Sequence, residues 1–239
     1  MLYKTNHGYY QSTLLQTVPL LLHGFSVRSM GDLKKDPDKR ARFFSSIGIP
    51  DSVVVSQQVH KSSVTFVHGT SISPIQGSDG LVTADHGKTL GVFSADCVPI
   101  LAVDPKAQII GAVHAGWRGT LLGIARMLIS TMEEHGASSD RILVSMGPHI
   151  GVCCYTVSKP RANLFIKRWS DAGVAMSDGN GWKLNLARSN MLALLDAQVK
   201  VEHIDTQTPC TSCMNHEFFS YRKDTKATFG EMMAVIGFQ

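Results

Sequence analysis

Cysteine and histidine side chains stand close together in one short part of the sequence. Cys97 and His114 each close a strand-like run, and the segment Gly116-Trp117-Arg118-Gly119-Thr120 comes directly after the histidine region. Thiolate and imidazole are the ligands that zinc prefers, and a catalytic zinc usually has three protein ligands and one open position. The best third candidate is His60, which ends another strand-like run. These residue types predict a zinc site built from strand ends, whereas a lone cysteine before an apolar run is more often a core residue.

The turn after His114 has residues that suit an anion. Gly116 and Gly119 allow a tight turn and a close approach of the backbone to a ligand. We expect this turn to open a helix, because the free N–H groups and the positive dipole end at a helix N-terminus suit phosphate. The alternative is an ordinary strand-to-helix turn with Trp117 packed in the core.

Three further segments offer weaker chemistry. The loop 147–155 contains His149 and the adjacent pair Cys153-Cys154, which cannot easily chelate one tetrahedral metal together and is expected to be buried and inert. The segment Cys210-Thr211-Ser212-Cys213 has the spacing of half a zinc site, but no second C-x-x-C exists, so a plain loop is favoured. Arg28 offers a bidentate clamp for phosphate or carboxylate, which alone is a weak signal.

Length and composition limit the classes to which the protein can belong. The 239 residues, of which 44% are apolar, suffice for one large domain with a substantial core. The net charge of +4 is mild, and no basic run resembles a nucleic-acid footprint. The odd count of 5 cysteines argues against a complete disulfide framework. Because no signal peptide and no membrane span is visible, we expect a cytoplasmic protein that contacts neither membrane nor nucleic acid.

Strands and amphipathic helices must position these residues. Runs rich in β-branched residues predict strands at Val53–Val55, Val64–Val67, Leu90–Phe93, Ile100–Val103, Ile109–His114, Ile142–Met146 and Met233–Phe238. Apolar spacing and end signals predict helices over Thr120 to about His135, about Asn185 to Val199, Pro160 to Trp169, and Asp36–Ser46. The strands are too closely spaced for simple alternation with helices, so we predict one α/β domain over residues 1–239 with a mixed sheet.

Together these segments resemble the YfiH-like family, also called the laccase-domain or multicopper polyphenol oxidase-like family. The most specific shared pieces are Ala95-Asp96-Cys97-Val98-Pro99 and His114-Ala115-Gly116-Trp117-Arg118-Gly119. The other shared pieces, in family order, are His23–Arg28, Gln58–His60, Asp79–Thr83, Gly147–Tyr155 and Cys210–Arg222. The chain departs from the family at Ser29–Asp32, where relatives often have Gly-Gly-x-Ser, and at Glu231, where an arginine is common. The second departure reverses a charge and bears on substrate preference.

The resemblance implies a zinc site at His60, Cys97 and His114. It implies a layered α/β/β/α fold, similar to that of cytotoxic necrotizing factor-like cysteine hydrolases. It also implies cleavage of purine nucleosides (adenosine, inosine, guanosine and methylthioadenosine) by phosphate, together with deamination of adenosine. The expected partners are these small molecules, and the expected state is a monomer or a small homo-oligomer.

That chemistry assigns roles to individual residues. Substrate or phosphate binding is expected of Arg28, Gln58, Gly116 and Arg118. Departure of the purine base needs a proton from a general acid. The acid candidates, which the sequence does not rank, are Asp79, Asp96 and His149, and Cys97 completes the predicted catalytic set.

Two other activities compete with this hypothesis. A multicopper oxidase needs about ten histidines in paired H-x-H patterns. The chain has 10 histidines, but none are two residues apart, so copper at the Cys97 site with weak polyphenol oxidation is the form of this alternative that stays open. In the second alternative, Cys97 acts as a nucleophile with His114 as its base, which would make the protein a hydrolase. A non-enzymatic, partner-binding role is also left open.

Overall fold

Fifteen strands and five α-helices form in the part of the chain that the computed structural model describes, residues 1–50, 53–69, 71–170, 172–179 and 181–239. The strands are β1 (Leu2–Lys4), β2 (Tyr10–Ser12), β3 (Leu21–Phe25), β4 (Val53–Val55), β5 (Val64–Phe66), β6 (Gly80–Thr83), β7 (Thr89–Ser94), β8 (Val98–Asp104), β9 (Ile109–Ala115), β10 (Leu143–Met146), β11 (Thr156–Val157), β12 (Ala175–Ser177), β13 (Trp182–Leu184), β14 (Ile204–Asp205) and β15 (Met232–Phe238). The helices are α1 (Pro37–Ile47), α2 (Trp117–Leu122), α3 (Ile124–Glu134), α4 (Lys159–Trp169) and α5 (Leu186–Asp196).

Two mixed sheets form the centre of the molecule. The first has 6 strands in the order β1-β2-β3-β15-β7-β4, and the second has 6 in the order β14-β10-β8-β9-β6-β5. The two sheets pack face to face over a shared apolar core. Helix α1 covers the outer face of the first sheet, and α3, α4 and α5 cover the outer face of the second. The predicted α/β/β/α layering is therefore confirmed. Strands β11, β13 and β12 make a small separate sheet.

Strand β8 is buried on both of its faces. Ile100 and Ala102 pack in the core beneath the helices, whereas Leu101 and Val103 pack in the core between the sheets. Successive side chains of a strand point to opposite faces, so a strand covered on both sides needs a continuous apolar run. This is why β7, β8, β9, β10 and β15 are predicted from the sequence within about two residues of their observed ends. The central strands β3 and β6 are not predicted, because histidine and glycine interrupt the apolar run of β3 and β6 begins at a glycine.

Gly123 divides the helix that the sequence predicts from Thr120 to His135. Its φ of +87° lies in the left-handed region, and it separates α2 from α3. The other three predicted helices are confirmed within a few residues. Asp36 caps α1 by accepting a hydrogen bond from Lys39 N, and Asn185 caps α5 in the same way. No helix among the described residues is long and apolar enough to cross a membrane.

Candidate functional site

Three neighbouring strand ends bring His60, Cys97 and His114 together. His60 lies in the loop after β4, Cys97 lies in the bend between β7 and β8, and His114 lies near the end of β9. Antiparallel pairing of β8 with β9 places Pro99 opposite His114, so the bend that carries Cys97 lies beside that histidine. The ligand atoms of the three residues all lie within 4.8 Å of one another. His114 is buried, Cys97 is half-buried and His60 is exposed, so the group is open to solvent on one side.

Asp79 orients two residues of this group, His60 and His114, through hydrogen bonds. Its carboxylate Oδ1 lies 3.2 Å from His114 Nδ1 and accepts a hydrogen bond of 2.8 Å from His60 N, while Oδ2 accepts one of 2.7 Å from Lys61 N. Burial raises the pKa of Asp79, but these hydrogen bonds outweigh it and hold the pKa below its ordinary value. A carboxylate on one ring nitrogen leaves the other, Nε2, free to ligate, which is the arrangement seen around metal-bound histidines. Asp79 is therefore a positioning residue.

The Cys97 thiol and the His114 imidazole change each other's protonation. Burial raises the pKa of Cys97, but the neighbouring His114 and His60 bring it down to about 7. Burial lowers the pKa of His114, but Cys97 and Asp79 raise it to about 9. A thiolate is thus accessible at neutral pH, and a thiolate is the form that binds metals and attacks electrophiles.

Gly116 keeps a space open beside the three side chains. A Cβ at this position would lie 3.1 Å from Cys97 Sγ, 3.2 Å from His60 Cδ2 and 3.7 Å from His114 Cε1. Two imidazoles and one thiolate, with one imidazole oriented by a carboxylate, form a donor set that fits a metal ion such as zinc or copper. The residues present therefore fit the metal that the sequence predicts, and the donor set does not choose between the two ions.

A cavity of about 600 Å³ opens onto the three ligands, which is within the usual size range of ligand pockets. Four cationic side chains line it, and they are Lys34, Arg118, Arg161 and Arg222. Aromatic side chains also line it, and they are Trp117, Tyr155, Tyr221 and Phe229. The combination suits a ligand that is anionic at one end and planar at the other.

The arginines are held over aromatic rings. The guanidinium carbon of Arg161 lies 4.2 Å from the centre of the Trp117 ring, and that of Arg118 lies 4.9 Å from the same ring. The guanidinium carbon of Arg222 lies 4.8 Å from the Tyr155 ring, and its Nη1 donates to Thr156 O. Stacking of this kind orients a guanidinium while leaving donors free for an anion.

The turn after His114 contributes less than the sequence suggests. Helix α2 has only 6 residues, so its dipole is short. A Cβ at Gly119 would lie 2.6 Å from Lys61 O, so this glycine is required where the turn packs against the loop of His60. The positive potential of the cavity therefore comes chiefly from arginine side chains, of which the turn supplies Arg118.

Four residues predicted to bind or act on substrate lie outside the cavity lining, and they are Arg28, Asp79, Gly116 and His149. The Arg28 guanidinium is held by Asp224, with Nη2 2.6 Å from Oδ2, and it stacks 4.4 Å from the Phe219 ring. His149 is buried and its Nδ1 lies 2.9 Å from Gly147 O, while burial lowers its pKa. These contacts hold loops in place, and phosphate binding by Arg28 and acid catalysis by His149 stay predictions.

Gln58 and Asp96 do line the cavity, but in different ways. The Gln58 amide forms two hydrogen bonds with the backbone of Phe93. Its Nε2 donates to the Phe93 carbonyl at 2.7 Å, and its Oε1 accepts from the Phe93 N–H at 2.8 Å. Asp96 accepts hydrogen bonds from Thr211 Oγ1 and from Arg222 N. Burial raises the pKa of Asp96 above its ordinary value even though these partners act in the opposite direction. Of the three acid candidates, Asp96 is the one that faces the cavity.

Several cavity residues cannot be identified from the sequence pattern. Lys34 carries no sequence signal, and its Nζ lies 2.8 Å from Oε2 of Glu231, the lining residue at which the chain departs from the family pattern. Arg161 lies on the exposed-looking start of α4, and its proximity to Trp117 depends on how that helix packs. Tyr155, Tyr221 and Arg222 are indicated more clearly, because they fall within shared pieces of the family resemblance.

The two cysteine pairs also come together, contrary to the expectation of separate inert loops. The sulfur atoms of Cys153, Cys154, Cys210 and Cys213 all lie within 4.8 Å of one another. Cys153 and Cys213 are exposed, and the other two are half-buried. The pairing could not be predicted because the two segments are about 60 residues apart in the chain.

The layered fold and the three ligands at the mouth of one cavity define an α/β/β/α enzyme with a candidate metal centre in an arginine-rich pocket. Residues 26–239 match the family described as multi-copper polyphenol oxidoreductase laccase, and the chain belongs to that family.

Similar proteins carry names that bear on activity. A relative named purine nucleoside phosphorylase YlmD, from Geobacillus stearothermophilus, is 36% identical over 223 residues, which cover 87% of this chain and 81% of the relative. A relative named adenosine deaminase RL5, from an unknown prokaryotic organism, is 32% identical over 198 residues, which cover 78% of this chain and 76% of the relative. The crystal structure of YlmD from Geobacillus stearothermophilus matches the fold with a TM-score of 0.87 at 29% identity, covering 100% of this chain and 98% of that one.

Proposed function

We propose that the protein is a zinc-dependent purine nucleoside phosphorylase that also deaminates adenosine. The observation that carries the proposal is the cavity itself, in which two histidines and a cysteine share one space with three arginines and four aromatic side chains. The names of the relatives support a nucleoside-processing enzyme. The proposed substrates are adenosine, inosine, guanosine and methylthioadenosine, with phosphate as the second substrate of the phosphorylase reaction.

The arginine side chains of the cavity are the proposed binding groups for phosphate. Arg118, Arg161 and Arg222 present guanidinium groups that suit bidentate binding of phosphate oxygens. Tyr221 and Phe229, whose rings lie 5.8 Å apart in an edge-to-face arrangement, offer an apolar surface for the planar base. In phosphorolysis a phosphate oxygen forms a bond to the ribose C1′ as the bond from C1′ to the purine nitrogen breaks.

The proposed general acid for the departing base is Asp96. It lines the cavity next to Cys97, and its raised pKa makes the protonated carboxyl more available than for an ordinary aspartate. A proton delivered to the purine nitrogen stabilises the leaving group. His60, Cys97 and His114 would hold the zinc ion, which supplies Lewis-acid chemistry when bound.

The direct test is incubation of purified, zinc-loaded protein with adenosine, with and without phosphate. Phosphorolysis gives adenine and ribose 1-phosphate only when phosphate is present. Deamination gives inosine without phosphate, and with phosphate the inosine is cleaved further to hypoxanthine and ribose 1-phosphate. Arg161→Gln and Arg222→Gln should raise the KM for phosphate at least about tenfold, because each removes one charged donor. The matched control is Arg126→Gln, since Arg126 forms an exposed ion pair with Asp196. Absence of every product from a zinc-loaded sample would refute the proposal.

Copper-dependent polyphenol oxidation is the first alternative. Over the residues that the structure describes, potential metal ligands gather in two groups, and neither group contains more than two histidines. A blue site that feeds a trinuclear cluster needs many more histidines. Metal analysis after expression in medium that contains both ions separates the hypotheses. Three or four copper ions per chain indicate a multicopper oxidase, one copper ion that is lost in Cys97→Ser and accompanies phenol oxidation indicates the single-site form, and zinc in place of copper agrees with the proposed enzyme.

A cysteine hydrolase is the second alternative, and the lowered pKa of Cys97 is the observation that favours it. Such an enzyme would react with iodoacetamide at Cys97 and lose activity whether or not zinc was present. For the proposed metal site, zinc occupies the sulfur and protects it from alkylation. Rates of Cys97 alkylation with and without zinc, measured by peptide mass spectrometry, distinguish these outcomes.

A further inference from the structure

Four of the five cysteines form a cluster away from the proposed catalytic metal site. Cys153 and Cys154 lie in the turn that follows β10, and Cys210 and Cys213 lie in the turn that follows β14. Cys213 Sγ lies 3.5 Å from Cys153 Sγ and 3.3 Å from Cys154 Sγ. All four are free thiols, since a disulfide would require sulfur atoms about 2.05 Å apart.

The sulfur separations have the size that a single ion requires. Tetrahedral zinc with Zn–S bonds of about 2.3 Å places its sulfur ligands about 3.8 Å apart. The four sulfur atoms lie within 4.8 Å of one another, so the largest separation must close by about 1 Å to reach that geometry. The adjacent Cys153 and Cys154 are difficult to combine on one ion from their sequence order alone, but the turn brings both sulfurs to within 3.5 Å of Cys213 Sγ. A tetrahedral set of four sulfur ligands is typical of zinc or of iron–sulfur centres.

The backbone around the cluster is also arranged for thiolates. Gly151 N donates a hydrogen bond of 3.1 Å to Cys210 Sγ, and Cys213 N donates one of 3.5 Å to the same sulfur. Hydrogen bonds from backbone N–H groups stabilise the negative charge of a thiolate. A Cβ at Gly151 would lie 3.1 Å from Cys153 Sγ and 3.4 Å from Cys210 Sγ, so a glycine is needed where this backbone approaches the sulfurs.

We propose that these four thiolates bind one Zn²⁺ ion as a structural site, separate from the site of His60, Cys97 and His114. Each cysteine loses one proton and donates one sulfur lone pair to the ion, and no oxidant or reductant takes part. A closed set of four ligands leaves no open position for substrate, which is the mark of a structural zinc.

The ion would join two loops that build the wall of the cavity. The first loop supplies Ile150 and Tyr155 to the lining, and the chain that leaves the second supplies Tyr221 and Arg222. The loops already touch through the bridge between His149 and Cys210. A bond network through one metal ion across about 60 residues of chain restricts both loops at once. The proposed role is therefore to hold Tyr155 and Arg222 in register.

Metal counting on matched variants tests the proposal. The native protein, purified under reducing conditions and loaded with zinc, should contain two zinc ions per chain by mass spectrometry of the metal. Cys97→Ser should lose one ion and keep the other, and Cys210→Ser should do the reverse. Zinc-edge X-ray absorption on Cys97→Ser should show four sulfur neighbours at about 2.3 Å.

Several results would overturn the inference. Cys210→Ser that retains two zinc ions, or Cys97→Ser that retains none while still folded by circular dichroism, would place no metal at the cluster. Mixed nitrogen and sulfur neighbours in Cys97→Ser, iron in place of zinc, or an oxidised pair of cysteines in the freshly isolated native protein would each contradict a zinc tetrathiolate.

A second variant keeps all four thiols and so guards against simple misfolding. Gly151→Ala crowds two of the sulfurs, and zinc at the cluster should be lost to a chelator at least about tenfold faster than in the native protein. Zinc at the site of Cys97 should leave at an unchanged rate. Equal loss from both sites, or no change at either, would count against the assigned position.

Discussion

Asp79 shows how one buried carboxylate organises a site without touching substrate. It is fully buried and binds His114 Nδ1 together with the backbone N–H groups of His60 and Lys61. It therefore fixes two of the three proposed ligands. Asp79→Asn keeps the shape but removes the charge, and we expect the affinity for zinc at this site to fall about 10–100-fold. Competition with a coloured chelator measures the affinity.

Asp104 provides the matched control. It is also fully buried, and it accepts hydrogen bonds from Lys106 N, Ala107 N and the Arg141 guanidinium. Asp104→Asn should lower stability while leaving zinc affinity at the site of Cys97 unchanged. Equal loss of zinc affinity in both variants would mean that Asp79 acts only through folding.

A single added methyl group at Gly116 should disturb the proposed metal ligands directly. In Gly116→Ala the new methyl group lies 3.1 Å from Cys97 Sγ and 3.2 Å from His60 Cδ2. Because these are ligand-bearing side chains, we expect about a tenfold or greater loss of kcat/KM together with weaker zinc binding. Steady-state kinetics and metal content check both effects.

Gly87→Ala controls for that substitution, since a Cβ there has nothing within 4 Å. Its activity and zinc content should match those of the native protein. Full activity in Gly116→Ala would show that the ligands have room that the structure does not indicate.

On the scale of elements, an ion pair connects the segment that follows β3 to the loop that precedes β15 and contributes to the cavity wall. Arg28 binds Asp224, which also accepts a hydrogen bond from Ser220 N next to Tyr221 and Arg222. Arg28→Lys loses the donors that reach Phe218 O and Thr228 O, together with the stacking on Phe219. We expect kcat/KM to fall about tenfold, or about 1.4 kcal/mol, with faster amide hydrogen exchange over residues 218–230.

The exchange measurement separates two roles for Arg28. A positioning residue changes both kinetics and exchange, and the KM values for nucleoside and phosphate rise together. If Arg28 instead binds phosphate directly, only the KM for phosphate rises and exchange over 218–230 stays as in the native protein.

The elements divide into those that local chemistry determines and those that it does not. Strands such as β8 and β9 are predictable because burial on both faces demands an unbroken apolar run. The short strands β1, β2 and β11–β14 escape prediction, since two or three residues carry too little pattern and pairing partners alone define them. The longer β3 and β6 are also missed, because His23 and Gly24 interrupt the first and Gly80 begins the second. The break at Gly123 is likewise missed, because an isolated glycine in a helical pattern is usually tolerated.

On the scale of the whole molecule, the site depends on contacts between distant segments. The metal ligands come from neighbouring strand ends within about 55 residues, and the motif spacing suffices to suggest them. The Lys34–Glu231 and Arg28–Asp224 pairs and the cluster of four cysteines join segments that only the packed sheets bring together. The sequence pattern therefore predicts which side chains can bind a metal ion. The structure is needed to show which distant loops complete the site around them.

The pH dependence of stability tests a buried group that lies far from either metal site. His23 in β3 is buried, and its Nε2 accepts a hydrogen bond from Ser12 N. Burial lowers its pKa from 6.5 to about 4. Between these two values the unfolded chain binds a proton that the folded protein does not. Stability is therefore complete above pH 6.5 and is lost as the pH falls toward 4.

Urea unfolding of the native protein and of His23→Gln isolates this contribution, because glutamine can accept the Ser12 hydrogen bond but does not titrate. Between about pH 7 and pH 5, the native protein should lose about 2 kcal/mol more of its unfolding free energy than the variant does. Acidic release of metal and titration of the other histidines affect both proteins and cancel in the difference. Parallel pH curves for the two proteins would show that His23 gains its proton in the folded state as readily as in the unfolded chain.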